Sequence, residues 1–465
     1  MSDRWMGALA MATAVFVSLI GCSREPEVVL EGSVAFVDVN VVPMDREQVL
    51  ARQTVVVHQG RIMTMGPYRA VEVPGGAQEV DGRGKFLMPA LAEMHGHLPS
   101  PQMREPDARN LLFLYVANGV TTVRGMQGHP SQFNLRAAID RGQFTAPRLW
   151  LGSPAMRGGE GAGAVTTPEE AAQLVREYKV KGYDLVKVQE GLAPHVYEAI
   201  AQTSRDVGIP FGGHVSDQVG LRQALASGQK SVDHLDNYVE ALVPDAARQS
   251  PGLQAAGALV DTVDESKIPE LVQLTRNAGT WVVPTMVLWE TAFYGDRSST
   301  QLILDRPEVK YMPPETVDTW KQAIDDRLKT ADLPTSRRVA TMRRTLLKAL
   351  HDGGGRMLLG TDSPQIFSVP GFSIHREMKL WVEVGLTPYQ VLESGTRNVA
   401  EYFNAADDFG TVALGRRADL LLLVANPLED VGNVARRAGV MLNGRWIPED
   451  EIQARLADIA AFYGN

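Results

Sequence analysis

One cysteine, Cys22, stands in 465 residues. A lone thiol forbids internal disulfides, so no cross-link holds this fold together. Long apolar runs are missing as well. The run over 6–20 is too short for a spanning helix and has the length of a signal-peptide core. Positive charge is in deficit: 46 Lys and Arg against 55 Asp and Glu leave a net charge of −9, which argues against nucleic acid as a partner. No internal repeat and no low-complexity tract is present. What remains is ordinary for a globular protein, 44% hydrophobic and 22% charged residues. The length allows one large barrel plus a small accessory domain with a sizeable core.

The N-terminus does not read as part of that core. Arg4 precedes the apolar run, which ends in Leu19-Ile20-Gly21-Cys22, a stretch that resembles the bacterial lipobox. The pattern predicts a signal peptide over 1–21, cleavage before Cys22, and lipidation of the Cys22 sulfur and new amine; a buried thiol is the competing reading. Several acyl chains on one residue anchor a protein stably, where one myristoyl chain holds only marginally. Ser23 stands where an inner-membrane retention signal has Asp. The expected location is therefore the bacterial cell envelope, lipid-anchored in the outer membrane and facing the periplasm. Residues 22–30 read as a tether.

From residue 31 to 85, short β-rich runs are broken by Pro43, Gly60, Gly66-Pro67 and Pro74-Gly75-Gly76, the pattern of half a small β-sandwich domain. Between 86 and 404, strand-like runs alternate with helical ones, as in βα units around a parallel sheet. Strands are expected over 91–95, 121–124, 148–152, 185–189, 209–214, 231–234, 281–287 and 357–360. Eight such strands fit a closed (β/α)8 barrel of the TIM type, an α/β fold. The long spacing between Leu288 and Leu350 predicts extra outer helices, part of which could cover the mouth. Residues 371–403 read as helical, with Pro388 as an N-terminal signal. Residues 405–447 are β-rich and should complete the small domain, and 448–465 should form a closing helix.

The most specific signal is His95-Gly96-His97 at the end of an apolar run. Side chains alternate along a strand, so both imidazoles face one way and can close on one metal ion. His214 and His234 follow at the ends of later runs, and Asp362 comes last in Leu359-Gly360-Thr361-Asp362-Ser363-Pro364. A lone histidine is more often a hydrogen-bonded core residue; four in this order, with an acid, are far more specific. In barrels of this type functional residues sit at the C-terminal strand ends. Imidazoles and a carboxylate suit Zn²⁺ or a similar divalent ion.

With Gly119-Val120-Thr121-Thr122-Val123-Arg124, Gly182-Tyr183-Asp184-Leu185-Val186-Lys187 and Gly410–Leu420, this set resembles the metal-dependent amidohydrolase superfamily, in its prolidase-like and imidazolonepropionase-like branch. The resemblance implies hydrolysis of an amide or peptide-like C–N bond by water activated on the metal, with Asp362 as general base and then acid. Lys187 decides the subtype. A lysine facing the barrel interior is costly without a function, although an outward one would snorkel to solvent. In the two-metal relatives the matching lysine is carboxylated and bridges both ions, which would give about two per chain. His95 and His97 would then hold one ion with Asp362, and His214 and His234 the other. Without the carbamate the site would be mononuclear, as in relatives that open cyclic amides or deaminate. A non-catalytic surface lipoprotein would normally have lost some ligands.

Tyr238 and His375 are candidates for orienting a substrate carbonyl or carboxylate, with ordinary packing as the competing reading. Arg124 and His129 carry the same ambiguity, and His58 reads as structural. Pro89-Ala90, Glu93 and Arg124-Gly125-Met126 depart from the Pro-Gly, Asp and Arg-Asp-Met common in relatives. They remove no ligand but weaken any transfer of a relative's substrate. The expected partners are a small amide or dipeptide-like substrate and a membrane through the lipid, with a homo-oligomer compatible with the sequence.

Overall fold

The structure, a computed structural model, describes residues 30–161, 163–244, 259–293 and 297–464. Cys22, the leader and residues 22–29 of the tether lie outside the described residues.

The chain opens with β1 (Val34–Val41), β2 (Leu50–His58), β3 (Arg61–Pro67), β4 (Gln78–Asp81) and β5 (Phe86–Pro89). β1 pairs antiparallel with β2, parallel with β4 through its first half and parallel with β5 at its end. The barrel strands follow: β6 (Leu91–Gly96), β7 (Val120–Gly125), β8 (Arg148–Leu151), β9 (Val186–Val188), β10 (Phe211–Gly213), β11 (Ser231–Asp233), β12 (Trp281–Val283) and β13 (Arg356–Met357). All neighbours among them are parallel. Two seams close the ring. Gly152 bridges Leu185 between β8 and β9, and the chain after β13 returns to β6, where Met94 N donates to Leu359 O at 2.9 Å and Asp362 N to His95 O at 2.8 Å.

Most of these strands are buried on both faces, as parallel strands covered by helices must be. The helix Pro194–Val207 is representative of the outer layer. Proline occupies its first turn, Val196, Tyr197, Ile200 and Ala201 form the inward stripe, and Gly208 closes it in the left-handed conformation. The stretch 371–403 breaks into three helices, Phe372–Val384, Pro388–Ser394 and Arg397–Tyr402. Pro388 starts the second, where Thr387 and Gln390 form a capping box.

β14 (Leu420–Leu423), β15 (Arg437–Leu442) and β16 (Arg445–Pro448) return to the small sheet, whose order is β16-β15-β14-β5-β1-β2-β3. The sheet curls over its own core, so Phe36 of β1 meets Trp446 of β16 edge-on at 5.3 Å. The expected boundary at residue 85/86 moves: β5 is hydrogen-bonded between β1 and β14, so the barrel begins after it. The final helix Glu449–Phe462 packs on the helix Glu105–Ala117, where Arg455 Nη2 donates to Asn110 Oδ1 at 2.7 Å.

The long segment after β12 is not one lid. Leu288 and Trp289 reach the central cavity. The helix Leu333–Asp352 is instead the ordinary crossover to β13, and its Arg343 Nη2 donates to the carbonyls of His234 and Pro284.

Candidate metal centre

At the C-terminal mouth of the barrel lies a cavity of about 530 Å³ whose wall includes His95, His97, Lys187, His214, His234 and Asp362. All six residues singled out as metal ligands therefore converge. They come from the ends of β6, β9, β10, β11 and β13, which are distant in sequence. Gly96 can only be glycine in this packing: a Cβ there would lie 2.9 Å from Val123 Cγ1 and 3.0 Å from the Tyr115 hydroxyl. At the strand ends the backbone turns sharply, with His234, Thr285 and Asp362 at φ values of 62°, 47° and 61°. Such conformations cost on the order of 1–3 kcal/mol each for residues with a side chain, and they cluster at functional sites.

Each interior histidine is oriented through one ring nitrogen. His95 Nδ1 lies 2.8 Å from Asp233 Oδ2, a close contact without hydrogen-bond alignment. His234 Nδ1 meets Thr285 Oγ1 at 2.7 Å, and His214 Nδ1 meets Asp236 Oδ2 at 2.7 Å. Nε2 of His95, His97 and His234, but not of His214, faces Asp362. His97 Nε2 is 2.6 Å from Asp362 Oδ1, His95 Nε2 is 3.5 Å from the same oxygen, and His234 Nε2 is 3.8 Å from Oδ2. The two longer separations exceed a hydrogen bond. They approach the edge of about 3.4 Å expected between ligands sharing one ion at about 2.1 Å. The donor set and its spacing fit a divalent ion.

The electrostatics agree. Burial holds His95 and His234 neutral, well below the ordinary imidazole range, which is the form that ligates. Burial pushes the Asp362 carboxyl up, but the hydrogen bond with His97 and the charged surroundings outweigh it and the group stays below the usual carboxylate range. Burial also lowers Lys187, which is only 2% exposed.

Beneath the histidines sits a layer that includes Arg124 and Glu93, whose supporting role the sequence left open. Arg124 is fully buried and reaches Asp233 at 3.1 Å, Ser231 Oγ at 2.9 Å and the Tyr402 hydroxyl at 2.8 Å. It thereby holds the carboxylate that faces His95. Glu93, in place of the relatives' Asp, accepts from His95 N and Thr361 N and from the Thr361 hydroxyl, tying β6 to the segment that carries Asp362. Burial pushes its carboxyl up to about 8. Glu190 stands 3.4 Å from His214 Nδ1. Arg157, Gln127, Gln189 and Gln365 also line the cavity, and none of them carried a motif.

Two expected substrate contacts are not in the cavity wall. Tyr238 is buried, with its hydroxyl 3.1 Å from Thr275 Oγ1 of the helix Ile268–Ala278, because the chain turns into a short helix immediately after Asn237. His375 lies on the helix Phe372–Val384, where burial lowers its imidazole to about 3. His58 bonds Ser33 Oγ, and His129 bonds Ser131 Oγ at an exposed turn.

Among solved structures, the chain is similar to a Bifidobacterium longum protein assigned as a prolidase, at 24% identity and a TM-score of 0.68 over 93% of this chain and 99% of that one. It is similar to a bottromycin amidohydrolase at 22% identity and a TM-score of 0.71, covering 93% and 91%. A Xaa-Pro dipeptidase with methionine bound in its active site matches at 17% identity and a TM-score of 0.65, covering 90% and 100%. No curated protein sequence matches. A profile of the Amidohydrolase family spans residues 86–447, the barrel with the strands that return to the small sheet, and the chain belongs to that family.

Proposed function

We infer that this chain is a metal-dependent hydrolase that cleaves an amide or peptide-like C–N bond in a small molecule. The observation that carries this reading is the convergence of His95, His97 and His234 on Asp362 in a cavity that His214 also lines, with His214 and His234 each hydrogen-bonded at the other ring nitrogen. A divalent ion such as Zn²⁺ bound here supplies a Lewis acid and makes water a nucleophile near neutral pH. Asp362 takes the proton of the attacking water and delivers it to the leaving amine. Its lowered pKa keeps it ionised and ready to act as the base. The neutral rings of His95 and His234 contribute ligand nitrogens without competing for that proton.

Two ions per chain are proposed: the family resemblance assigns His95, His97 and Asp362 to one and His214 and His234 to the other, while the spacing here also brings His234 within 3.8 Å of Asp362 and groups it with His95. Lys187, if carboxylated, would supply the carbamate oxygens that hold both ions. Its buried amine favours the neutral form, whose nitrogen bonds the carbon of CO₂ while a proton leaves to solvent. Stripping the metal with a chelator should abolish turnover on a responsive amide, and re-addition should restore it. Lys187→Ala should lose at least one of about two ions by elemental analysis. Full metal content and activity in that variant would point to a mononuclear centre.

The same reading includes export and anchoring by lipid at Cys22, supported by the leader-like run and by Leu19-Ile20-Gly21-Cys22. Cys22→Ser should abolish acyl labelling and release the protein from membranes or trap its precursor. Unchanged labelling and fractionation would remove the anchor from the account.

A further inference from the structure

Outside the ligand set, Arg157 is the cationic residue on the cavity wall among the described residues. Its place is fixed by backbone on two sides. After β8 the chain runs beside β9: Met156 N donates to Lys187 O at 2.9 Å, and Gly158 N to Glu190 O at 3.0 Å. The approach is so close that a Cβ on Gly158 would sit 1.7 Å from Gly191 O. A loop then brings Ala164 beside Arg157 in an isolated parallel bridge, with Arg157 N donating to Gly163 O at 3.0 Å and Val165 N to Arg157 O at 2.8 Å. The guanidinium itself is steadied by one bond, Nη2 to Glu160 O at 2.8 Å.

Arg124, Arg136, Arg344 and Arg376 each meet a carboxylate. Arg157, an exposed residue at the cavity wall, meets none among the described residues, so most of its donor fork remains available to a ligand. The rest of that wall offers apolar surface from Met126, Leu288 and Trp289 and neutral amides from Gln127, Gln189 and Gln365. A planar guanidinium with free donors matches a carboxylate in a bidentate pair, and a preformed arginine supplies orientation as well as attraction. The cavity volume falls within the ordinary range for small-molecule sites.

We propose that Arg157 is a specificity-determining residue that binds a free carboxylate of the substrate, so that the preferred substrates are N-acyl amino acids or dipeptides rather than neutral amides. This rests on the hydrolase reading above. The test pairs N-acetyl amino acids with the corresponding N-acetyl amino alcohols, which keep the amide and lose the charge, on the metal-loaded full chain. Wild type should prefer the acids. Arg157→Met should lower kcat/KM for the acids by about 10- to 100-fold, mainly through KM, and leave the alcohols within about threefold. Arg157→Lys should recover part of the loss, and matched melting curves would show that both variants fold.

Equal loss on acids and alcohols, an unchanged preference in Arg157→Met, or no preference in wild type would each overturn the proposal. If no amide is turned over, the hydrolase reading fails instead. Calorimetric titration of N-acetyl-leucine and N-acetyl-leucinol then still decides on Arg157: weaker binding of the acid alone in the variant supports it, and equal binding in the two proteins refutes it.

Discussion

Asp362 stands where the last barrel segment closes on the first, its amide donating to the His95 carbonyl and its carboxylate facing His95, His97 and His234. Asn in its place keeps the shape and one ligand oxygen but removes the base. General-base transfer contributes roughly 10²- to 10⁴-fold in typical enzymes. Asp362→Asn should therefore lower kcat by at least about a hundredfold while retaining most of the metal. Turnover measured per folded, metal-loaded molecule checks this, and a near-native value would take Asp362 out of the mechanism. This residue and the other five candidate ligands were legible because the histidines and Asp362 end β-rich runs and Lys187 interrupts one. Asp233, Asp236 and Thr285 were not, because their role exists only through contacts with rings on other elements. Tyr238 misled for a related reason. Four residues beyond His234 the chain has already turned, and proximity in sequence does not fix direction.

Between elements, one buried carboxylate joins the chain after β12 to the helix after β13. Glu377 of the helix Phe372–Val384 accepts from Met286 N at 2.9 Å, Val287 N at 2.6 Å and Trp381 Nε1 at 2.8 Å. It satisfies the first amides of the short helix Met286–Leu288, which carries the chain towards the cavity. That is why the strand expected over 281–287 stops at Val283: Thr285 turns left-handed and the next amides bond a side chain instead of a ladder. Burial pushes the Glu377 carboxyl from 4.5 up to about 7 against the pull of those donors. The folded-state pKa is the higher one, so the favourable contribution is complete below pH 4.5 and is lost as pH rises through about 7. The shift corresponds to on the order of 3 kcal/mol. Wild type should thus lose stability relative to Glu377→Gln between pH 5 and 8, read as the change in their difference in unfolding free energy. A difference that stays flat across that range would refute the assignment.

On the scale of the molecule, the barrel order was readable from alternating patterns, while the course of the small sheet was not. Its pairing joins residues more than three hundred positions apart, and no local period encodes that distance. The closing helix is part of the same clamp. Ile452, Leu456 and Ile459 are at most 3% exposed, and burial of such side chains is worth about 1.5–3 kcal/mol each. A chain ending at Pro448 should melt at least about 5 °C lower by calorimetry, with turnover per folded molecule preserved because this helix does not line the cavity. An unchanged melting temperature would mean that the helix is an appendage. The insertion of β14 between β5 and β15 also has a consequence for biosynthesis. β5 is made early, yet its neighbour leaves the ribosome only after the whole barrel has been synthesised. At about 5–20 residues per second that delay is roughly 15–60 s. By the end of that interval the nascent chain carries an open strand edge beside a nearly complete barrel, so a ribosome that stalls late yields a product with its candidate ligands in place and its edge free to pair with the wrong chain.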